Sequence, residues 1–307
     1  MNKDLTTLTD LEPKELVGLL DYADELKAEV KKHPRLDIAP GRMAVLVFEK
    51  PSLRTRVTFE VAMRQLGGSA LYLGPTDIGL GTRETVPDVA RNLSRWVDCI
   101  IARVFAHDKI EGLAANATIP VVNALSDGFH PCQALADLLT VRQHSGRLAG
   151  VTIAWTGDGN NVCNSLMLGC AMTGVNCRVA TPKGFEPTPA VVEKARACAG
   201  KSGAELVLTC DPAEAASGAD YIYTDVWASM GQEDEVLQRG RIFRAFQLNA
   251  ELLKKAKPGA KVLHCLPAHR GDEITGDVLD GPQSVVLDQA ENRLHAQRAL
   301  LARLLVR

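Results

Sequence analysis

Short apolar runs of β type alternate with helix-patterned segments along the whole chain, and this alternation restricts the fold most. In the first half, strands are expected at 43–48, 69–73, 98–103 and 119–123, with helices near 54–66, 85–96, 108–115 and 131–144. In the second half, strands are expected at 151–155, 177–181, 205–209, 221–224, 260–263 and 284–287. Helical runs near 161–172, 189–200, 247–256 and 290–305 fall between them. Parallel strands need helical crossovers, so the pattern predicts an α/β protein of two doubly wound domains, each a parallel sheet flanked by helices. At 307 residues the chain can supply a core for each. Ser-Gly-Arg-Leu-Ala-Gly at 145–150 precedes a fresh strand and marks the hinge. The first domain is therefore drawn as 1–146 and the second as 147–307, with the last helix free to pack back on the first.

Several function classes drop out on composition. A net charge of −2 leaves no generally basic surface for nucleic acid, so an anionic substrate needs a local arginine cluster. No apolar run reaches the length of a membrane span, and the start of the chain lacks a signal-peptide core. No two of the eight cysteines have CxxC spacing, so no metal site is expected and reduced thiols fit a cytoplasmic home. Most of these cysteines lie in apolar runs as small hydrophobes, but Cys132 and Cys265 sit inside polar motifs.

The polar motifs recur just after expected strands, where doubly wound folds bind ligands. Met43 to Phe48 runs into Ser52-Leu53-Arg54-Thr55-Arg56. Ser52 stands at a helix N-cap, and the unpaired N–H groups there, with Arg54 and Thr55, make a phosphate cradle without a glycine-rich loop. The plainer reading is an ordinary cap followed by solvated arginines. Arg103 closes the strand at 98–103. After 119–123 come His130-Pro131-Cys132-Gln133, with Pro131 suited to a first helical turn and an imidazole and an amide beside it.

In the second half, Gly157-Asp158-Gly159-Asn160-Asn161 follows a strand but lacks the third glycine of a dinucleotide fingerprint. Asp225-Val226-Trp227-Ala228-Ser229-Met230-Gly231 offers a carboxylate for an ammonium group and backbone amides for a carboxylate, as an amino acid requires. His264-Cys265-Leu266-Pro267 places a thiol at another strand exit, and Arg293 stands near the start of the last helix.

Taken in order, Ser-x-Arg-Thr-Arg at 52–56, His-Pro-x-Gln at 130–133, Asp-x-Trp-x-Ser-Met-Gly at 225–231 and His-Cys-Leu-Pro at 264–267 resemble the aspartate/ornithine carbamoyltransferase family over roughly residues 4–306. The last two motifs speak for the branch that uses ornithine. The resemblance implies transfer of the carbamoyl group of carbamoyl phosphate to L-ornithine, giving L-citrulline and phosphate, with no cofactor and no metal. It implies a homo-oligomer built from trimers as the partner state, and neither nucleic acid nor membrane.

Residue by residue, the resemblance puts Ser52, the Leu53 backbone, Arg54 and Thr55 on the phosphoryl group. Arg103 and His130 would donate to the carbonyl and phosphate oxygens, and Gln133 would hold the carbamoyl group. Arg293 and the backbone at Cys265 and Leu266 would complete that pocket. Asn161, Asp225, Ser229 and the Met230 backbone would grip the amino-acid end of ornithine, with Asp225 and Cys265 favouring the neutral amine. Arg103, His130, Asp225 and Cys265 are thus the expected catalytic groups. Positioning of two small substrates, helped by domain closure, would carry much of the rate. The chain departs from the family at Leu53, where many relatives have Thr, and at Gly79, where many have a Gln that reaches a neighbouring subunit. Competing readings are a putrescine-using carbamoyltransferase, a Rossmann oxidoreductase resting on Gly157-Asp158-Gly159, and a non-catalytic paralogue.

Overall fold

The structure, a computed structural model, describes residues 3–228 and 235–306. The chain divides into two compact units, Met1–Leu139 with Glu291–Arg307, and Thr140–Ala290. This partition differs from the 146/147 division in assigning 140–146 to the second unit and 291–307 to the first.

The first unit holds a four-stranded parallel sheet of β1 (Met43–Phe48), β2 (Ser69–Leu73), β3 (Cys99–Arg103) and β4 (Val121–Leu125), in the order β2-β1-β3-β4. The apolar run of β1 is buried from Ala44 to Phe48, as a central strand of such a sheet requires. Val45, Val47, Ile100 and Ala102 pack with Val89, Leu93, Ile110 and Leu113 from the covering helices. The order reverses between β1 and β3, whose exits carry Ser52 and Arg103.

In the second unit, β5 (Thr152–Thr156), β6 (Asn176–Ala180), β7 (Leu206–Thr209), β8 (Tyr221–Thr224) and β9 (Lys261–His264) form a parallel sheet in the order β7-β6-β5-β8-β9. Here the switch point lies between β5 and β8, whose exits carry Gly157–Asn161 and Asp225. Each unit therefore turns its polar motifs toward the crevice where an open α/β sheet binds ligands.

The α/β architecture with parallel sheets agrees with the alternation read from the sequence. One strand does not form. At 284–287 only Ser284 makes an isolated bridge, to Val262, and the helix Val286–Leu305 has already begun. The expected helix at 247–256 shortens to Ala250–Leu253, capped by Asn249. A long helix, Pro13–Lys32, is additional: Leu16, Leu19, Leu20, Ala23 and Leu26 recur at helical spacing and are buried.

Gly79, at the point of departure from the family, has a backbone reason to be glycine. Its φ is +61°, and a Cβ there would lie 2.9 Å from Cβ of Arg83.

Candidate active site

In the first unit the phosphate-cradle residues gather at the start of the helix Leu53–Gln65. Ser52 is its N-cap: the hydroxyl accepts from the Thr55 backbone N–H at 3.3 Å and donates to Thr55 Oγ1 at 3.0 Å. Thr55 is buried, Arg54 is half-buried, and the Leu53 side chain is 75% exposed, so at position 53 the backbone is the part facing the helix start.

Arg293, from the helix Val286–Leu305, reaches the same place. Its Nη2 donates to Thr55 Oγ1 at 3.2 Å and its Nη1 to Gln133 Oε1 at 2.7 Å. With its amide oxygen turned to Arg293, Gln297 accepts from Nη2 at 3.1 Å and Nε at 3.3 Å, while its nitrogen donates to Thr58. Gln133 in turn donates to Asp137 Oδ1 at 2.8 Å. A continuous chain of hydrogen bonds thus runs Ser52–Thr55–Arg293–Gln133–Asp137.

His130 and Arg103 are both buried, at the exits of β4 and β3. Burial holds the His130 imidazole well below its usual pKa, and the positive charges of Arg293, Arg103 and Arg54 add to the shift. His130 is therefore neutral, and it sits in the joint field of three guanidinium groups. That field suits a phosphorylated ligand and needs no basic surface.

Three residues absent from the sequence expectations brace these exits. Glu49 Oε2 accepts from the Phe105 N–H at 2.9 Å, Glu49 Oε1 pairs with Lys109, and Lys109 also donates to the Leu80 carbonyl at 3.0 Å. Lys50 is buried with its ammonium 4.1 Å from the Phe105 ring centroid. The β1 exit is thus tied to the β3 exit and to the loop around Leu80. Cys132, by contrast, is a packed thiol: burial pushes its pKa up to about 12, and its Sγ faces the Asn123 carbonyl.

In the second unit Asp225 is the hub. Its Oδ1 accepts from the Val226 N–H and from Cys265 Sγ, each at 2.8 Å, and its Oδ2 accepts from Asn160 Nδ2, also at 2.8 Å. Asn160 simultaneously caps the helix Asn161–Thr173, accepting from Val162 N–H and Cys163 N–H. The residue joined to Asp225 is therefore Asn160, and the half-buried Asn161 begins the helix beside it.

In Gly157-Asp158-Gly159 the first glycine has φ +132°, and the second is required by packing. A Cβ on Gly159 would come within 2.3 Å of the Pro187 nitrogen and 2.6 Å of the Phe185 carbonyl. Asp158 pairs with Arg239 at 2.9 Å, and the same guanidinium donates to the Trp227 carbonyl at 2.9 Å. Burial raises the Asp158 pKa to about 6, with Arg239 opposing the shift. Arg239 thereby links the loop after β5 to the segment after β8. Ser229 and Met230 lie outside the described residues.

His264 orders the third exit. Its Nδ1 accepts from the Leu266 N–H at 2.9 Å, and its Nε2 faces Oε1 of the buried Glu273 at 3.1 Å. An acceptor at Nδ1 puts the proton on Nε2, whose N–H donates to the Glu273 carboxylate. Leu266 has φ +58°, rare for a leucine. Asp225, His264 and Cys265 present ligand atoms within 4.8 Å of one another, so they are the group among the described residues able to hold a metal ion. Both His264 nitrogens are engaged with Leu266 and Glu273, which such an ion would have to displace.

Residues 3–143 match the carbamoyl-P binding domain of aspartate/ornithine carbamoyltransferases, and residues 149–304 match their Asp/Orn binding domain. The ornithine carbamoyltransferase of Thermus thermophilus is 53% identical over 303 residues, covering 99% of this chain and 97% of that one. Among solved structures, the ornithine carbamoyltransferase of Pyrococcus furiosus superposes with a TM-score of 0.95 at 51% identity, covering 97% of this chain and 96% of that one. The anabolic enzyme of Campylobacter jejuni superposes with a TM-score of 0.92 at 35% identity, covering 99% of both chains.

Proposed function

Because the chain belongs to the aspartate/ornithine carbamoyltransferase family, we infer that it transfers the carbamoyl group of carbamoyl phosphate to the δ-amine of L-ornithine, releasing L-citrulline and phosphate. The observation that carries this reading is the hydrogen-bonded chain from Ser52 and Thr55 at the helix start through Arg293 to Gln133.

The first unit binds carbamoyl phosphate. The N–H groups opening the helix Leu53–Gln65, the hydroxyls of Ser52 and Thr55, and Arg54 take the phosphate oxygens. Arg103 and His130 donate to the carbonyl oxygen, and Gln133 accepts from the carbamoyl –NH2. The second unit binds ornithine, with Asp225 on the ammonium group and Asn161, Ser229 and the Met230 backbone on the carboxylate end.

The neutral δ-amine attacks the carbamoyl carbon, forming the C–N bond. Negative charge moves to the carbonyl oxygen, where Arg103 and His130 stand as fixed donors; removing one such donor typically costs about 10²–10³ in rate. Collapse breaks the C–O bond to phosphate, and the departing phosphate takes the proton lost by the amine nitrogen. Asp225 is held ready for the ornithine ammonium group by Cys265 Sγ and Asn160, which both donate to it.

A trimer is the proposed assembly. Leu53, Val57 and Leu71 are exposed on the helix Leu53–Gln65 and edge strand β2, which meet where Arg56 stacks on Tyr72. An apolar surface of this kind fits a further copy of the chain. Gly79 cannot supply the family's glutamine contact to a neighbouring subunit. No described helix is long and apolar enough to cross a membrane, and the eight free cysteines suit the reducing cytoplasm. The anabolic relative favours a role in arginine synthesis. The test is the choice of amine: ornithine should be carbamoylated and putrescine and aspartate should not. Comparable activity with putrescine would mean that Asp225 and its neighbours do not clamp an amino acid.

A further inference from the structure

Gln133 and Asp137 lie four residues apart on the helix Pro131–Ser145, both buried, with Gln133 Nε2 donating to Asp137 Oδ1 at 2.8 Å. We infer that Asp137 is a positioning residue: it fixes which end of the Gln133 amide faces the ligand and so makes the site select an acyl phosphate that carries an –NH2 group. This rests on Gln133 contacting the carbamoyl group, as proposed above; Asp137 itself touches neither substrate.

An amide can rotate by half a turn, exchanging its oxygen and nitrogen with little change in shape. A carboxylate only accepts hydrogen bonds and a guanidinium only donates them. With Asp137 on one side and Arg293 Nη1 2.7 Å away on the other, one orientation satisfies both partners and the reverse opposes both. The oxygen therefore faces Arg293, whose other arm holds Thr55 of the phosphate cradle. An amide oxygen accepts two hydrogen bonds, so after Arg293 one place remains beside the cradle. A carbamoyl –NH2 fills it. The methyl of acetyl phosphate cannot, and inorganic phosphate brings nothing to it.

Asp137→Ala removes the acceptor that holds the nitrogen away from the ligand. A hydrogen bond to a charged group typically accounts for about a tenfold change or more. KM for carbamoyl phosphate should rise about tenfold, while inhibition constants for acetyl phosphate and inorganic phosphate, and KM for ornithine, stay within about twofold. Asp137→Asn keeps a carbonyl acceptor and should restore most of the preference, which a loss of packing alone would not do. Should the alanine variant fail to fold, Asp137→Val keeps the volume without an acceptor and takes the same readings. Equal weakening of all three phosphates, an unchanged preference, or an asparagine variant no better than alanine would overturn the proposal. Gln133→Ala separates the two levels. If it leaves the preference intact, the contact of Gln133 with the carbamoyl group is wrong; if it abolishes the preference while Asp137→Ala does not, only the role of Asp137 is.

Discussion

Cys265 Sγ donates a 2.8 Å hydrogen bond to Asp225 Oδ1, joining the exits of the adjacent strands β9 and β8. Asn160 holds the other carboxylate oxygen, so Asp225 is fixed in orientation before any substrate arrives. Preorganisation of this kind lowers the cost of binding an ammonium group.

Cys265→Ala should therefore reduce kcat/KM for ornithine by about tenfold, the scale of one hydrogen bond to a charged group. KM for carbamoyl phosphate should hold within about twofold. Steady-state kinetics with each substrate varied in turn would decide it, and unchanged ornithine parameters would remove the thiol from the mechanism.

Arg239→Lys keeps the charge but cannot reproduce two directed bonds to Asp158 and the Trp227 carbonyl. KM for ornithine should rise by about tenfold while carbamoyl phosphate binding is spared. Because burial raises the Asp158 pKa to about 6, the wild-type ion pair should weaken as pH falls below that value. A rise in ornithine KM in that range, absent from Asp158→Asn, would show the link.

These roles were legible to different degrees in the sequence, for physical reasons. Ser52 and Pro131 announce helix starts through local chemistry, and both head helices or cap them as expected. Asn160 was not among the expected site residues, because its contact is with Asp225, on another strand's exit, and leaves no local pattern. Ser284-Val285-Val286-Leu287 is a short β-branched run, a pattern that strands and buried helix starts share. Tertiary context resolved it as the first turn of the helix Val286–Leu305. Glu49, Lys50 and Arg239 gave no signal, since an ion pair or cation–π contact leaves no periodicity.

His295 governs part of the acid sensitivity. Its Nε2 faces Glu291 at 2.8 Å and its Nδ1 faces Arg298 at 2.9 Å; arginine only donates, so the ring is held neutral. Burial lowers its pKa from 6.5 to about 4. The unfolded chain then binds the extra proton first as pH falls, so this stabilisation is full above 6.5 and lost on the way down to about 4. The fall in Tm across that window should be shallower for His295→Gln than for wild type. A parallel fall in both would place the acid sensitivity elsewhere.

Gly159→Ala forces a Cβ into the backbone of 185–187. The variant should lose about 1–3 kcal/mol or more, the usual cost of overpacking, read as a lower urea midpoint at unchanged slope. An unshifted midpoint would mean that this backbone yields freely.

Product-identified turnover decides the reaction: citrulline formed from carbamoyl phosphate and L-ornithine by the wild type and by Arg54→Ala. The wild type should form citrulline, and the variant should lose at least about 10²-fold, the scale for removing one charge-stabilising donor. Full activity in Arg54→Ala would contradict the phosphate cradle, and no citrulline from the wild type would contradict the reaction itself.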